Sequence, residues 1–350
     1  MIKKSGVKST LYEARQPPVQ SNSGAVELFE SLREAHSQLG FNHVFSETES
    51  SVPTKINTKV PPGSILSYQL SLTEGNCQVI TNFPPALPKL VGNSDDLFPP
   101  LPCKQVASVS FTGPLSTEAE AFLQNLSVSN PSEVESTTRG QSDNPAWFST
   151  RKNRLTRSNF GVICKCKKAL SQEKCVRSTL LNQKDIAHLP AIQYGLSNES
   201  TAVGTYLEYM KYTHPVTVLE CGTVISPTMQ WISSSPDRKV IDQEHGPGLL
   251  EVKCPFSLRH LKPEDACKEP GFFCELVDGS PLLKRSHNYY YQVQGQLGVC
   301  GLTWCDFVVY FPKGLIIERI EFDEMFWKSM VTTLTDFYHK HVLPVLVNDD

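Results

Sequence analysis

Hydrophobic positions form few long periodic segments in the first 130 residues and fall into regular patterns from Trp147 onward. Two early exceptions stand out. Val26, Leu28, Phe29, Leu32 and Ala35 recur at helical spacing up to Gly40, and Thr117 with Glu120 reads as a capping box opening a short helix that runs to about Ser127. Beyond Trp147 the spacing predicts helices at about 156–169, 175–184 and 196–212, the last with Glu199, Val203, Tyr206, Leu207 and Met210 near one broad face. Strands are predicted at 216–220, 228–233, 248–254, 304–311 and 314–320, and helices return at about 287–300 and 323–341. Helices and strands interleaved in this way predict an α/β domain with a central mixed sheet and helices on both faces.

Composition divides the chain at the same place. The first 130 residues hold twelve of the 25 prolines, in clusters such as Pro61-Pro62, Pro84-Pro85 and Pro99-Pro100, together with many serines. The expected organisation is therefore a Pro/Ser-rich, partly disordered N-terminal region over 1–130 and a folded domain over 131–350. The two early helices have two readings, packing on the folded domain or binding a partner. A formal net charge of -3 means that any nucleic-acid role must rest on local charge. Such charge exists between Arg151 and Asp185, where ten Lys or Arg residues face two acids. It reads either as the footprint of a phosphate backbone or as a solvated helix face. Eleven scattered cysteines, with Cys164-x-Cys166 and Cys175 lacking paired CxxC spacing, point to reduced thiols rather than a zinc knuckle. No apolar run reaches membrane-spanning length and no signal-peptide core follows Met1, so an intracellular, nuclear or cytosolic protein with no membrane partner is expected.

Candidate chemistry is concentrated between Ser235 and Pro255. Pro236-Asp237, a spacer of thirteen residues, then Glu251-x-Lys253 is the layout of a metal-dependent nuclease site. On a strand Glu251 and Lys253 point the same way while Val252 turns into the core. A turn at Gly246-Pro247-Gly248 is expected to fold the strand ending near Asp237 back beside them. Two carboxylates suit a hard cation such as Mg²⁺, with Mn²⁺ able to substitute, and a lysine beside them can hold or polarise an attacking water. Tyr289, Tyr290 and Tyr291 read as packing rather than base-stacking residues, and His339 and His341 as solvated helix positions rather than ligands.

Four ordered motifs carry a resemblance over about 135–344: Trp147-x3-Arg151 with Arg154-Leu155-Thr156-Arg157-Ser158-Asn159-Phe160-Gly161; Gly195-x3-Glu199; Ser235-Pro236-Asp237 with Glu251-Val252-Lys253-Cys254-Pro255; and Tyr291-Gln292-Val293-Gln294-Gly295-Gln296. This stretch resembles the YqaJ-type viral recombinases, relatives of lambda exonuclease among the PD-(D/E)xK nucleases, with a restriction-endonuclease-like fold. The resemblance implies that Asp237, Glu251 and the backbone carbonyl of Val252 bind the metal and that Lys253 activates water. It assigns Glu199 and Gln294 to the active site, and Arg151, Ser158 and Ser235 to a pocket for a terminal 5′-phosphate. Read as residues alone, Glu199 is also an ordinary helix acid, Gln294 a packing glutamine, Ser158 a helix cap and Ser235 a turn former. Two departures stand out: Arg238 follows Asp237 where many relatives have glycine, and Arg157 replaces a frequent alanine, adding charge beside the phosphate pocket. The sequence Ser-Pro-Asp-Arg-Lys-Val is similar to animal members of the family.

What the resemblance implies is a Mg²⁺-dependent deoxyribonuclease, a 5′-to-3′ exonuclease on duplex DNA ends in recombination or repair. A strand-annealing partner and a homo-oligomer such as a trimer go with it. The alternatives are a non-catalytic DNA-binding or scaffold protein on the same fold, or a structure-specific endonuclease with the same site.

Overall fold

The structure, a computed structural model, describes residues 52–53, 59–60, 78–82, 98–104, 107–166, 188–213 and 215–348. The helices predicted up to Gly40 and at 175–184, most of the N-terminal region expected to be partly disordered, and the basic run beyond Cys166 lie outside the described residues. Chain contacts define two units, Met1–Gly75 and Asn76–Asp350. In the first, β1 (Val52–Pro53) and β2 (Lys59–Val60) pair antiparallel.

The second unit opens with β3 (Gln78–Asn82), then α1 (Thr117–Asn125), α2 (Pro131–Thr137), α3 (Pro145–Arg151), β4 (Leu155–Thr156), α4 (Arg157–Lys165) and α5 (Pro190–Thr213). Five strands follow: β5 (Val216–Glu220), β6 (Val224–Ile225), β7 (Ile232–Ser234), β8 (Arg238–Asp242) and β9 (Gly246–Lys253). The chain continues with α6 (Pro263–Lys268), β10 (Cys274–Val277), β11 (Ser280–Leu283), α7 (Asn288–Cys300), β12 (Trp304–Phe311), β13 (Gly314–Glu321), α8 (Glu324–Phe337) and α9 (Leu343–Asn348). A folded domain was expected from 131; the compact unit also takes in β3 and α1.

The main sheet has six strands in the order β3-β13-β12-β9-β8-β5. It is mixed, as expected: β9 runs parallel to β12 and β3 to β13, while β5–β8, β8–β9 and β12–β13 are antiparallel. Alternation along the strands sorts side chains to two covered faces. Leu249, Phe307, Val309 and Ile316 pack with Phe160 and Ile163 of α4, Leu297 of α7 and Trp327 and Leu334 of α8. Leu250, Val252, Val308 and Ile317 pack on the other face with Ala202, Val203, Tyr206 and Met210, the buried stripe of α5. Val252 thus enters the core as the strand alternation requires.

Several expectations need correction. The helix N-cap before α1 is Ser116, whose Oγ accepts from the Ala119 N–H, one residue earlier than the expected Thr117 box. Strand β8 was not anticipated. Asp237 immediately precedes it, the reversal falls at Gln243–Glu244–His245, and Gly246, Pro247 and Gly248 already belong to β9. Gly248 keeps its special role for another reason: a Cβ there would run into the Trp304 ring. His339 is buried rather than solvated, stacked on Phe111 with centroids 4.6 Å apart, in the widened helical turn Tyr338–Val342.

Candidate active site

The hairpin register builds the site. Arg238 pairs with Leu250, so Asp237, one residue earlier, falls beside Glu251, one residue later. The Val252 N–H donates to Asp237 Oδ2 at 2.8 Å, tying the acid to the neighbouring strand. Val252, whose carbonyl is the expected ligand, thus also ties the two strands together through its N–H. From upstream, Gln141 Nε2 donates to the carbonyls of Cys221 at 2.9 Å and Pro236 at 2.7 Å, which holds the turn leading into Asp237. The Glu135 carboxylate of α2 accepts from the Gly222 N–H at 3.1 Å and from Lys239 Nζ at 3.1 Å.

Glu251 is fully buried and surrounded by donors. Lys253 Nζ and Gln292 Nε2 both donate to Oε1, and Arg157 Nη1 donates to Oε2. Arg157 also donates from Nη1 to Gln296 Oε1 at 2.9 Å and from Nη2 to Asp237 Oδ1 at 2.8 Å. It reaches the cluster because α4 lies close on α7: at Gly295 a Cβ would strike the Phe160 ring. Glu199, on α5, does not touch Asp237 or Glu251 through a hydrogen bond; it pairs with Arg238 at 2.8 Å at the edge of the cluster.

Electrostatics follow from burial in close quarters. Burial alone would raise the Asp237 carboxyl, but the Arg157 and Lys253 charges and the Val252 N–H hold it below the usual range. Glu251 stays raised, first by burial and further by Asp237, against the pull of Arg157 and Lys253. Burial works against the Lys253 ammonium, yet Glu251 and Asp237 outweigh it and raise its pKa. The ammonium also lies 4.9 Å from the Tyr289 ring centroid, so one tyrosine of the triple faces the site rather than serving only as packing. Burial, and then the charge of Asp237, raises Glu199.

Gln294 is not in the cluster. On a helix, residues four apart share a face while residues two apart point nearly opposite ways, so Gln292 and Gln296 face the carboxylates and Gln294 cannot. Its Nε2 donates to the Glu321 carbonyl and its Oε1 accepts from the Asp323 N–H, both at 2.8 Å, joining β13 to the start of α8. The expected phosphate pocket is partly assembled. The Arg151 guanidinium stacks 3.6 Å over Trp147, whose Nε1 donates to Ser235 Oγ at 3.0 Å. Ser235 is buried, with the Thr223 hydroxyl also 3.0 Å away. Burial, then the charge of Arg157, lowers Arg151 to about 10, so it remains cationic at neutral pH. Ser158 is exposed and its hydroxyl lies 3.2 Å from Thr156 Oγ1, apart from that chain of contacts.

The basic stretch resolves into separate tasks over its described part. Arg154 is buried and donates to the carbonyls of Gln230, Thr150 and Leu126, while Lys165 donates to the Ser286 carbonyl. Gln292, which the resemblance matches with Gln294 to glutamines lining the active site in relatives, does reach Glu251, whereas Gln296 and the bond of Arg157 to both acids were not anticipated. The i, i+4 spacing of Gln292 and Gln296 was the available signal.

The mixed sheet thus presents two carboxylates and a lysine at the end of an antiparallel hairpin, the arrangement expected of the Pro-Asp and Glu-x-Lys layout. Residues 146–303 match the YqaJ-like viral recombinase domain. The alkaline nuclease of Autographa californica nuclear polyhedrosis virus is 26% identical over 231 residues, covering 59% of this chain and 50% of the viral protein. The chain therefore spans about half the length of this curated relative. Among solved structures, the alkaline exonuclease LHK-Exo from Laribacter hongkongensis is similar at 23% identity and TM-score 0.42, over 58% of this chain and 94% of that one. The Shutoff and Exonuclease Protein from Kaposi's sarcoma-associated herpesvirus is similar at 14% identity and TM-score 0.39, over 60% and 72%. No helix among the described residues is long and apolar enough to cross a membrane.

Proposed function

We propose that this chain is a metal-dependent nuclease that hydrolyses DNA phosphodiesters, acting as a 5′-to-3′ exonuclease on duplex ends. The observation that carries the reading is the convergence of Asp237, Glu251 and Lys253 at one hairpin end. The donor set fits a hard divalent cation, since both acids offer carboxylate oxygens. Asp237 and Glu251 would hold Mg²⁺ or Mn²⁺, which when bound supplies charge neutralisation at the scissile phosphate and a more acidic water.

The protein's own residues do the rest. Lys253, on the same strand as Glu251 and bonded to it, is placed to hold and polarise the attacking water. Gln292 and Gln296 orient Glu251 and Arg157 through side-chain amides. Arg151, held flat on Trp147, suits bidentate capture of a terminal phosphate, and the Trp147–Ser235 hydrogen bond fixes that platform against the turn bearing Asp237.

One observation favours the rival reading of a non-catalytic DNA-binding protein: Arg157 bonds both carboxylates, as a structural ion pair would. Incubation of linear duplexes bearing 5′-phosphate or 5′-hydroxyl ends, beside a closed circle, with Mg²⁺, Mn²⁺ or EDTA separates the readings. The proposal expects metal-dependent loss of linear DNA, faster from 5′-phosphate ends, with the circle spared and Lys253→Ala inactive. Binding without cleavage in either metal would leave the scaffold reading, and cutting of the circle would favour an endonuclease.

A further inference from the structure

Arg157 sits where the proposed chemistry needs a metal ion. Its guanidinium bridges Asp237 Oδ1 and Glu251 Oε2. The other oxygens are also engaged, Asp237 Oδ2 by the Val252 N–H and Glu251 Oε1 by Lys253 and Gln292. Two acids thus face two cations, and the buried cluster is neutral before any metal enters.

A dication added to that cluster would lie beside both a guanidinium and an ammonium, in a place where little water screens their repulsion. Its arrival is therefore an exchange rather than an addition. Of the two resident cations, Arg157 is the one suited to leave. Lys253 shares strand β9 with Glu251, inside the sheet between β8 and β12, so its ammonium stays within reach of the acid. Arg157 is the first residue of α4, reaching the acids from outside the main sheet by a long side chain that is 13% exposed. Rotation of that side chain frees one oxygen of each carboxylate without moving the hairpin.

We propose that Arg157 is a resident counter-cation: it closes the Asp237–Glu251 pair in the metal-free protein, and a divalent metal must displace it to load. The proposal rests on reading that pair as a metal site. It gives the guanidinium two consequences of opposite sign. It stabilises the apoprotein by compensating two buried carboxylates, and it weakens metal affinity by competing for the same oxygens.

The test measures metal rather than cleavage. Mn²⁺ binding to the full chain is followed by the electron paramagnetic resonance of the free ion, with melting in EDTA recorded in parallel, for the native protein, Arg157→Met, Arg157→Lys and Asp237→Asn. Arg157→Met keeps the bulk of the side chain and loses its charge, and should bind Mn²⁺ about tenfold more tightly or better, because the competitor is gone. Its melting temperature should fall in EDTA and recover with Mn²⁺. Arg157→Lys keeps a charge without the two-pronged fork and should fall between the two, which preserves the test if the methionine variant does not fold. Equal Mn²⁺ affinity in native and Arg157 variants, with Asp237→Asn weakened, would overturn the counter-cation while leaving the metal site standing. An absence of Mn²⁺ binding in every folded variant would overturn both.

Discussion

The two faces of the central sheet each bury an ionic cluster, and they are built to opposite ends. On the α5 face, Arg319 donates from Nε and Nη2 to Asp306 at 2.8 and 2.9 Å and from Nη1 to Asp242 at 2.7 Å. The Tyr206 hydroxyl donates to Asp306 Oδ2 at 2.7 Å, and the N–H groups of Glu244 and His245 donate to Asp242 Oδ1. The Arg319 guanidinium lies 3.9 Å from the Trp304 ring centroid, and its side chain is 2% exposed. On the opposite face the corresponding cation, Arg157, is 13% exposed, Lys253 is 18% and Asp237 is 13%. Arginine and buried carboxylates are common to both. What differs is enclosure, and with it whether the cation can be exchanged. The closed cluster pins the hairpin turn at Asp242; the accessible one occupies the other end of the same hairpin, where chemistry is proposed.

If that contrast is right, breaking each cluster should injure a different property. The largest effect is expected at Lys253: replacement by methionine should lower the metal-dependent cleavage rate per folded molecule by about a thousandfold or more, measured under single-turnover conditions. Next comes Arg319→Met, which leaves Asp242 and Asp306 buried without their counter-charge and should cost about 3–5 kcal/mol in urea unfolding. Its folded fraction should retain native cleavage. A stable Arg319→Met protein that cannot cleave would place that cluster in the active machinery and erase the distinction.

The glutamines of α7 sharpen the same comparison on a single helix. Gln294→Ala should destabilise by about 1–3 kcal/mol, because it orphans the Glu321 carbonyl and the Asp323 N–H. Gln292→Ala should chiefly slow cleavage. The smallest expected effect concerns Glu318, which accepts from the Leu283 N–H and is raised by burial from 4.5 to about 7. A raised acid binds its proton more tightly in the folded state, so its stabilising contribution is full below about pH 4.5 and is lost as pH rises through about 7. Glu318→Gln, which keeps an acceptor without the charge, should gain on the native protein by about 1–2 kcal/mol between pH 5 and pH 8, after allowance for partial solvent screening. Parallel melting curves at the two pH values would remove Glu318 from the account.

Much of this was legible in the residues, for identifiable reasons. The strands Val216–Glu220 and Trp304–Phe311 coincide with their predicted bounds, since each is a compact β-prone run. That Glu251 and Lys253 share a face followed from strand alternation, which needs no knowledge of neighbouring elements, whereas Asp237 was brought beside them by a turn expected three residues later than the one that forms. Strand β8 was missed because Arg238-Lys239-Val240-Ile241-Asp242 is charged at both ends; its Lys239 and Asp242 are buried only because Glu135 and Arg319 meet them from remote segments. Two helices had a local signature that went unread: Asn130-Pro131 and Asn144-Pro145 each place an asparagine N-cap before a proline at the first helical position. Arg157 was seen as added charge but not as a partner of the two acids. That pairing depends on α4 lying against α7 through Gly295, a long-range contact that no local period announces.

The most direct test sets the two faces against each other with one chemical change. Asp237→Asn and Asp242→Asn each remove one negative charge from the same hairpin, and both proteins would be assayed for Mg²⁺-dependent cleavage of linear duplex DNA and for thermal unfolding. The account predicts that Asp237→Asn folds and loses cleavage, whereas Asp242→Asn melts earlier and cleaves at the native rate per folded molecule. Retained cleavage in Asp237→Asn would contradict it.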